Sequence, residues 1–354
     1  MARRGTNRKV VNLALQGGGA HGALTWGVLD RLLEEDRIEI EGITATSAGA
    51  MNAAVLKHGL LHGGRDGAKA ALADFWGEVA RLGSLANPVL AWLKAVTPMA
   101  EMSPLIAAQV QAAHVAGEGL TRVLSPYDLN PLNYHPLRDV IDGLDFVAVC
   151  KEDTGPKLFI CATNVRTGKI KVFEGEEIST DAILASACLP TLFQAIEIPD
   201  RQTGQMEAYW DGGYIGNPAL FPLFYETVAR DVIIVHINPI ERPEVPRAAA
   251  DILNRINEIS FNSSLLRELR AIEFVQRLIH EERLTSDRFK DVLIHSIRDD
   301  AAMAALSVAT KLQPDSGLIE RLHRTGRDAM DHFLKEHWAD IGVRSTVDLR
   351  AMFS

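Results

Sequence analysis

Cysteine is scarce in this chain. Its 354 residues hold three, Cys150, Cys161 and Cys188, an odd number with no C-x-x-C pair. That excludes a disulfide framework and a cysteine-built zinc site, and buried thiols in a reducing compartment are expected. An excess of basic charge is missing too. The formal net charge is -9, the wrong sign for a protein that binds nucleic acid by neutralising phosphates, so no nucleic-acid partner is expected. No stretch reaches the ~18 uninterrupted apolar residues of a membrane span. The basic start M-A-R-R-G-T-N-R-K precedes an apolar run too short for the hydrophobic region of a signal peptide. Residues 1–9 therefore read as a flexible tail on a cytoplasmic protein. Ala2 stands where N-myristoylation needs glycine. Internal repeats are also lacking.

Apolar material is ample. At 47% hydrophobic residues, this length suffices for one large domain or two ordinary ones. V-V-N-L-A-L at 10–15 reads as a buried strand and feeds into Q-G-G-G-A-H-G at 16–22. A helix follows, with Leu24, Val28 and Leu32 in one row and Trp26, Leu29 and Leu33 widening the apolar face. Residues 38–46 give a second strand, Ser47 a sharp turn, and A-G-A-M-N-A-A-V-L a helix of small residues. Strand, glycine turn, helix, strand, turn, helix opens a parallel α/β sheet.

Further strands are predicted at 157–165, at 169–173 and at D-V-I-I-V-H-I, with a helix from about Ser179 to near Pro190. The Pro-rich stretch 238–246 is the best domain boundary. Beyond it, Ile252, Ile256, Ile259, Leu265, Leu269 and Ile272 predict an amphipathic helix, and D-V-L-I-H-S-I at 291–297 one more strand that can return to the sheet. The segment 84–104, broken by Pro88, Pro98 and Pro104, carries Trp92, Leu93, Met99 and Met102. It reads as buried core or a subunit contact, or as a cover over the site that dips into a bilayer.

Three elements carry chemistry. Glycine loses the most conformational freedom on folding. Three in a row, with a fourth at Gly22, imply a need for bare backbone: a nucleotide phosphate, a developing oxyanion, or a tight turn. Gly17, Gly19 and Gly22 fit G-x-G-x-x-G. That fingerprint expects an acidic residue at the end of the next strand, but the next strand ends at Ser47, and Glu39 and Glu41 lie at its start. No Gly-Lys-Ser/Thr follows to make a P-loop.

The second element is A-T-S-A-G at 45–49, one residue away from the nucleophile elbow G-x-S-x-G. That motif sets its serine on a strained strand-to-helix turn, and small flanking residues let strand and helix approach. Ala45 adds one methyl group in place of the first glycine, while Gly49 keeps the second. The third element, D-G-G-Y-I-G-N-P at 211–218, is by itself ordinary turn chemistry. An α/β-hydrolase with a Ser-Asp-His triad puts several strands before its elbow and a histidine after its acid. Ser47 has room for few strands before it. His236 and His295 sit in strand-like runs as core or edge residues, and none of these or of His280, His323, His332 and His337 has a distinctive loop context.

Q-G-G-G-A-H-G, A-T-S-A-G-A-M-N-A, A-S-A-C-L-P-T-L-F and D-G-G-Y-I-G-N-P occur in this order. In these motifs the chain resembles the patatin-like lipid acyl hydrolases, bacterial type, over roughly residues 10–240. The resemblance implies an α/β three-layer sandwich with a central, mostly parallel sheet. The acyl-hydrolase domain would span 10–240, with a helix-rich C-terminal region over 241–354 packed on or extending it.

The resemblance further implies a Ser-Asp dyad without histidine: Ser47 as nucleophile and Asp211 as general base. Ala45, Thr46, Ala48 and Gly49 would form the elbow, and Gly212 and Gly213 would complete the acid motif. Gly17, Gly18, Gly19, Ala20, His21 and Gly22 would form the oxyanion hole, with backbone N–H groups around Gly18, Gly19 and Ala20 aimed at the tetrahedral intermediate. No metal and no cofactor is implied. The substrate would be a membrane phospholipid or other glycerolipid. A neutral-lipid lipase or carboxylesterase of the same mechanism is the alternative, as is a non-catalytic lipid- or nucleotide-binding protein. Peripheral membrane contact and a homodimer both fit.

A free aspartate, at a pKa of ~3.9, is a weak base for a serine hydroxyl, so Asp211 is expected to be partly desolvated. Two positions depart from the family pattern. His21 stands where Arg or Lys is frequent: it either caps or covers the turn, or, as a neutral side chain, weakens a fixed positive charge and makes activity pH-dependent. Ala45 bears on the rate more than on the fold.

Overall fold

The fold is given by a computed structural model that describes residues 8–85, 124–151, 154–201, 203–285 and 288–353. Trp92, Leu93, Met99 and Met102, expected at a cover or contact, lie outside the described residues.

The chain begins with β1 (Lys9–Leu15), the glycine turn, α1 (Ala23–Leu32), β2 (Ile38–Thr46) and α2 (Ala48–Leu85), which is broken at Gly63 and Gly64. Next come β3 (Lys157–Asn164), β4 (Ile170–Glu174), α3 (Thr180–Ser186), β5 (Ile196–Pro199), β6 (Met206–Asp211) and β7 (Asp231–Val235). The chain then forms α4 (Ala249–His280), β8 (Leu293–Ile297), the short α5 (Val308–Lys311) and α6 (Ser316–His337). Shorter helices are left unlabelled.

The sheet is mixed. Strands β3, β2, β1, β7 and β8 run parallel to their neighbours, whereas β4, β5 and β6 join antiparallel. Successive strand residues face opposite sides. Val11, Leu13 and Leu15 of β1 therefore meet α1, α2, α3 and α6 on one face, and Ala14 meets α4 on the other. Covered on both faces, the central strands read as continuous apolar runs. The result is a three-layer α/β architecture with a helical C-terminal region.

That region is built into the sheet and its helices. β8 pairs with β7, and α6 lies so close along α1 that a side chain on Gly27 would meet the His323 carbonyl, and one on Gly326 the Leu24 carbonyl. Arg327 and His323 close on Asp30, and Arg31 pairs with Asp331 at 3.0 Å.

Helix α4 differs from its sequence expectation. Leu265, Leu269 and Ile272 are buried as its core face, but Ile252, Ile256 and Ile259 are exposed. The inward stripe of its first half is instead polar and aromatic: Glu258, Phe261 and Asn262. These residues continue the 265–269–272 row at helical spacing, and they face the glycine turn and the Asp211 loop.

One edge of β3 decides where the site forms. Cys161 pairs with Val172 of β4 on one side and with Thr46 of β2 on the other. Its neighbour Ala162 pairs with Lys171 of β4 and with Asp211 of β6. Since β4 fills one edge, β2 and β6 share the other. β2 runs parallel to β3 and β6 antiparallel, so the two strands meet end to end.

Candidate active site

Ser47 follows the last residue of β2 and precedes α2. Its φ is 55°, a left-handed conformation that costs a non-glycine residue energy and marks a strained turn. Its N–H donates to the Ser186 hydroxyl at 2.8 Å, and that hydroxyl donates in turn to the Cys161 carbonyl at 2.6 Å. Space around the elbow is tight: a Cβ on Gly17 would lie 2.6 Å from the Ser47 Cβ, and one on Gly49 would meet the carbonyls of Leu15 and Gln16. Ala45, where the elbow motif has glycine, is fully buried in the strand.

Asp211 ends β6. Its carboxylate accepts from the Gly213 N–H at 2.7 Å, and the Ser47 hydroxyl bears on it, favouring its ionised form. Its own N–H donates to the Cys188 carbonyl at 2.7 Å, and Thr163 donates to its carbonyl at 2.8 Å. The side chain is nearly sealed, with Ser47 7% and Asp211 1% exposed. Burial pushes the carboxyl up to about 6, against the opposing pull of the Gly213 hydrogen bond, the Ser47 hydroxyl and the Lys311 charge. No described histidine hydrogen-bonds to either residue. No group of three His, Cys, Asp or Glu side chains able to hold a metal occurs among the described residues.

The glycine turn is sorted by its hydrogen bonds. The Gly17 N–H donates to Asn217 Oδ1 at 2.7 Å, and the His21 N–H to the Gly18 carbonyl at 3.2 Å. Neither is a free donor, so these two N–H groups hold the shape of the turn. The N–H groups of Gly18, Gly19 and Ala20 have no acceptor among the described residues. Gly22 opens α1, and Asn52 of α2 donates to its carbonyl at 3.1 Å.

His21 is not a switch near neutral pH. Burial, helped by the Lys311 charge, lowers it to about 3, so the ring is neutral. Its Nε2 meets the Thr310 hydroxyl at 2.7 Å. That hydroxyl already donates to the Ser307 carbonyl at 2.6 Å, so it accepts from His21, which assigns the proton to Nε2. Of the two readings of this position, a side chain that covers the turn agrees with a desolvated, pinned imidazole.

Several groups at the site carried no sequence signal of their own. Ser186 lies in the quoted A-S-A-C-L-P segment, but nothing local marks it as the acceptor for Ser47. Asn217 holds Gly17, and its Nδ2 is buried with no partner among the described residues. Gln16 Oε1 accepts from the N–H groups of Ile237 (2.8 Å) and Asn238 (3.0 Å), tying the turn to the chain after β7. Lys311 lies 100 residues beyond Asp211, in the C-terminal region.

A strained serine between strand and helix, a buried aspartate at its hydroxyl and a glycine turn alongside place this chain among α/β proteins with elbow-type geometry. It belongs to the patatin-like phospholipase family, whose model matches residues 13–224; that family consists of lipid acyl hydrolases. No relative matches among curated proteins. Among solved structures the chain is similar to VipD from Legionella pneumophila, at 15% identity over 94% of this chain and 67% of that one, with a TM-score of 0.40. It is also similar to the heterodimeric ExoU–SpcU complex of the Pseudomonas aeruginosa type III secretion system, at 17% identity over 98% of this chain and 66% of that one, with a TM-score of 0.29. The chain thus spans about two thirds of the length of each.

Proposed function

We propose that this chain is a phospholipase A-type serine hydrolase, with Ser47 as nucleophile and Asp211 as its base. The observation that carries the reading is Ser47 set against the buried carboxylate of Asp211 where β2 and β6 meet on β3, beside three backbone N–H groups with no acceptor among the described residues. As Ser47 Oγ attacks the acyl carbonyl, its proton passes to Asp211. Gly18, Gly19 and Ala20 receive the oxyanion. Each pre-aimed donor of this kind is worth ~3 to 4 kcal/mol of barrier, and the positive end of α1 adds to the field.

The tetrahedral intermediate collapses, and the alcohol leaves as lysolipid with the proton from Asp211. Water then attacks the acyl-enzyme and gives its proton to Asp211. Collapse of the second intermediate releases the fatty acid and returns the proton to Ser47. An aspartate pushed up to about 6 is a far better base than a free one and is still ionised at neutral pH. Reaching a bilayer lipid requires peripheral contact, and no described helix is long and apolar enough to cross a membrane.

The test is labelling by a fluorophosphonate probe of wild type, Ser47→Ala and Asp211→Asn, beside hydrolysis of a phospholipid and a medium-chain ester. Labelling of wild type alone, with fatty acid released from the phospholipid, supports the reading. Cleavage of the medium-chain ester alone moves the assignment to a carboxylesterase. A folded wild type that neither labels nor hydrolyses overturns it.

A further inference from the structure

We propose that Lys311, outside the segment matched to the family, is a positioning residue of the site: it braces the glycine turn from behind and supplies a positive charge that favours ionised Asp211. The inference rests on the Ser47–Asp211 reading above.

The geometry is specific. The Lys311 carbonyl occupies the space where a side chain on Gly19 would stand. Its ammonium donates to Asn238 Oδ1 at 2.7 Å and to Asn257 Oδ1 at 3.2 Å, and lies 5.7 Å from the centroid of Phe261. Asn238 Nδ2 in turn donates to the Gly17 carbonyl at 3.0 Å. Phe261 packs so closely on Gly213 that a Cβ there would meet its ring, and the Gly213 N–H holds Asp211. One side chain thus touches both the support of the turn and the support of the acid.

Burial pulls the Lys311 ammonium down to about 8, against the opposing charges of Glu258 and Asp211, so it is charged where Asp211 titrates. The residue is partly exposed, but its ammonium end is enclosed, and among the described residues it makes no ion pair. Its direct partners are neutral amides and a ring. A buried cation of this kind is costly unless something nearby gains from it. Four charged or titratable groups face it: Asp211, Glu258, Arg242 and His21. Glu258 is already held by Arg242 at 2.6 Å and by Arg255 at 3.3 Å, and His21 is neutral. The Lys311 charge favours the ionised form of Glu258 first and of Asp211 next, and of the two Asp211 has no ion pair of its own among the described residues. Around Asp211 stand Ser47, Gly213, Cys188 and Tyr214, and Lys311 is the cation whose charge bears on it among the described residues.

The test is the pH profile of Ser47 labelling in wild type, Lys311→Met, Lys311→Gln and Lys311→Arg. Gln keeps a hydrogen-bond donor without the charge. Both neutral variants should move the acid limb up by about one pH unit, while Lys311→Arg keeps it where wild type has it. Folded Met and Gln variants with the wild-type limb overturn the proposal. A shift in Met alone reduces Lys311 to a brace and overturns the electrostatic role.

If the neutral variants do not fold, competitive amine acetylation read by mass spectrometry decides. Coupling is reciprocal, so Asp211→Asn should lower the Lys311 titration midpoint by about the same unit, and an unchanged midpoint overturns the proposal. That measurement needs no activity. A wild type whose Ser47 never labels therefore defeats the enzymatic reading separately.

Discussion

Ser47 and Asp211 sit at the facing ends of two strands that run head-on along one edge of β3. Thr46 pairs with Cys161, and Asp211 pairs with the next residue, Ala162. One step along β3 therefore sets the distance between hydroxyl and carboxylate, and the pairings of β3 hold both strand ends in place. Preorganisation of this kind would let the proposed dyad work with no third group to orient the base.

The pH dependence of acylation should follow Asp211. Its carboxyl is raised to about 6 and must be ionised to accept the proton, so the rate should climb through pH 6 and level off above 7. Fluorophosphonate labelling rates across pH 4–9 check this. Substitution of His21, neutral throughout that range, should leave the midpoint in place. A midpoint near 6.5 that vanishes with a histidine substitution would count against Asp211 as the base.

Stability should fall in acid for a different reason. His21 and His236 are lowered by burial to about 3, and His135 to about 4. Each stabilises the folded state fully above its unfolded value of ~6.5 and progressively less as pH drops through the window toward the folded value. Asp211 has the opposite sign. Raised from 3.8 to about 6, its ionisation costs nothing below 3.8 and its full penalty above 6. Asp211→Asn should therefore raise the melting temperature by a few degrees (roughly 2–4 °C) at pH 8, with a smaller gain at pH 4. Calorimetry at both values tests the sign.

Ser186→Ala should remove the acceptor for the buried Ser47 N–H and free the Cys161 carbonyl. An unsatisfied buried group costs about 1–3 kcal/mol. The loss falls on the elbow, so kcat should drop with KM little changed. Steady-state kinetics beside a denaturant melt separate the two effects, and a KM rise at constant kcat would point to substrate binding instead.

Gly19→Ala meets two obstacles at once. The φ of +57° disfavours a side chain, and the added methyl would run into the Lys311 carbonyl. Backbone strain of this sort costs about 1–3 kcal/mol. With the donors displaced, labelling should fall by at least tenfold while secondary structure by circular dichroism is kept. Unchanged labelling would show that the turn does not receive the oxyanion.

Much of this protein was legible before its fold. Strands came from short continuous apolar runs and helices from an apolar period of 3.6, which depend only on neighbours in the chain. The glycine turn and the serine turn were legible because their steric needs fall on consecutive residues. Helix α4 shows the limit. Its isoleucines at 252, 256 and 259 follow a helical rhythm, yet they are exposed, because the inward stripe had to meet a polar site and not a core.

The sequence by itself determined the family, the opening α/β order of elements and the residues of the three motifs, since each is written in a short local pattern; the strands Ile196–Pro199 and Met206–Asp211 were not legible in it. Only the tertiary structure decided which backbone donors remain free, that Asp211 is sealed and raised, and that Ser186, Asn217 and Lys311 attend the site. The physical reason is separation along the chain. The bond from Ser47 to Ser186 spans 139 residues, that from Gly17 to Asn217 spans 200, and that from His21 to Thr310 spans 289. Desolvation likewise belongs to no residue alone, and it arises only when every layer around the sheet has closed.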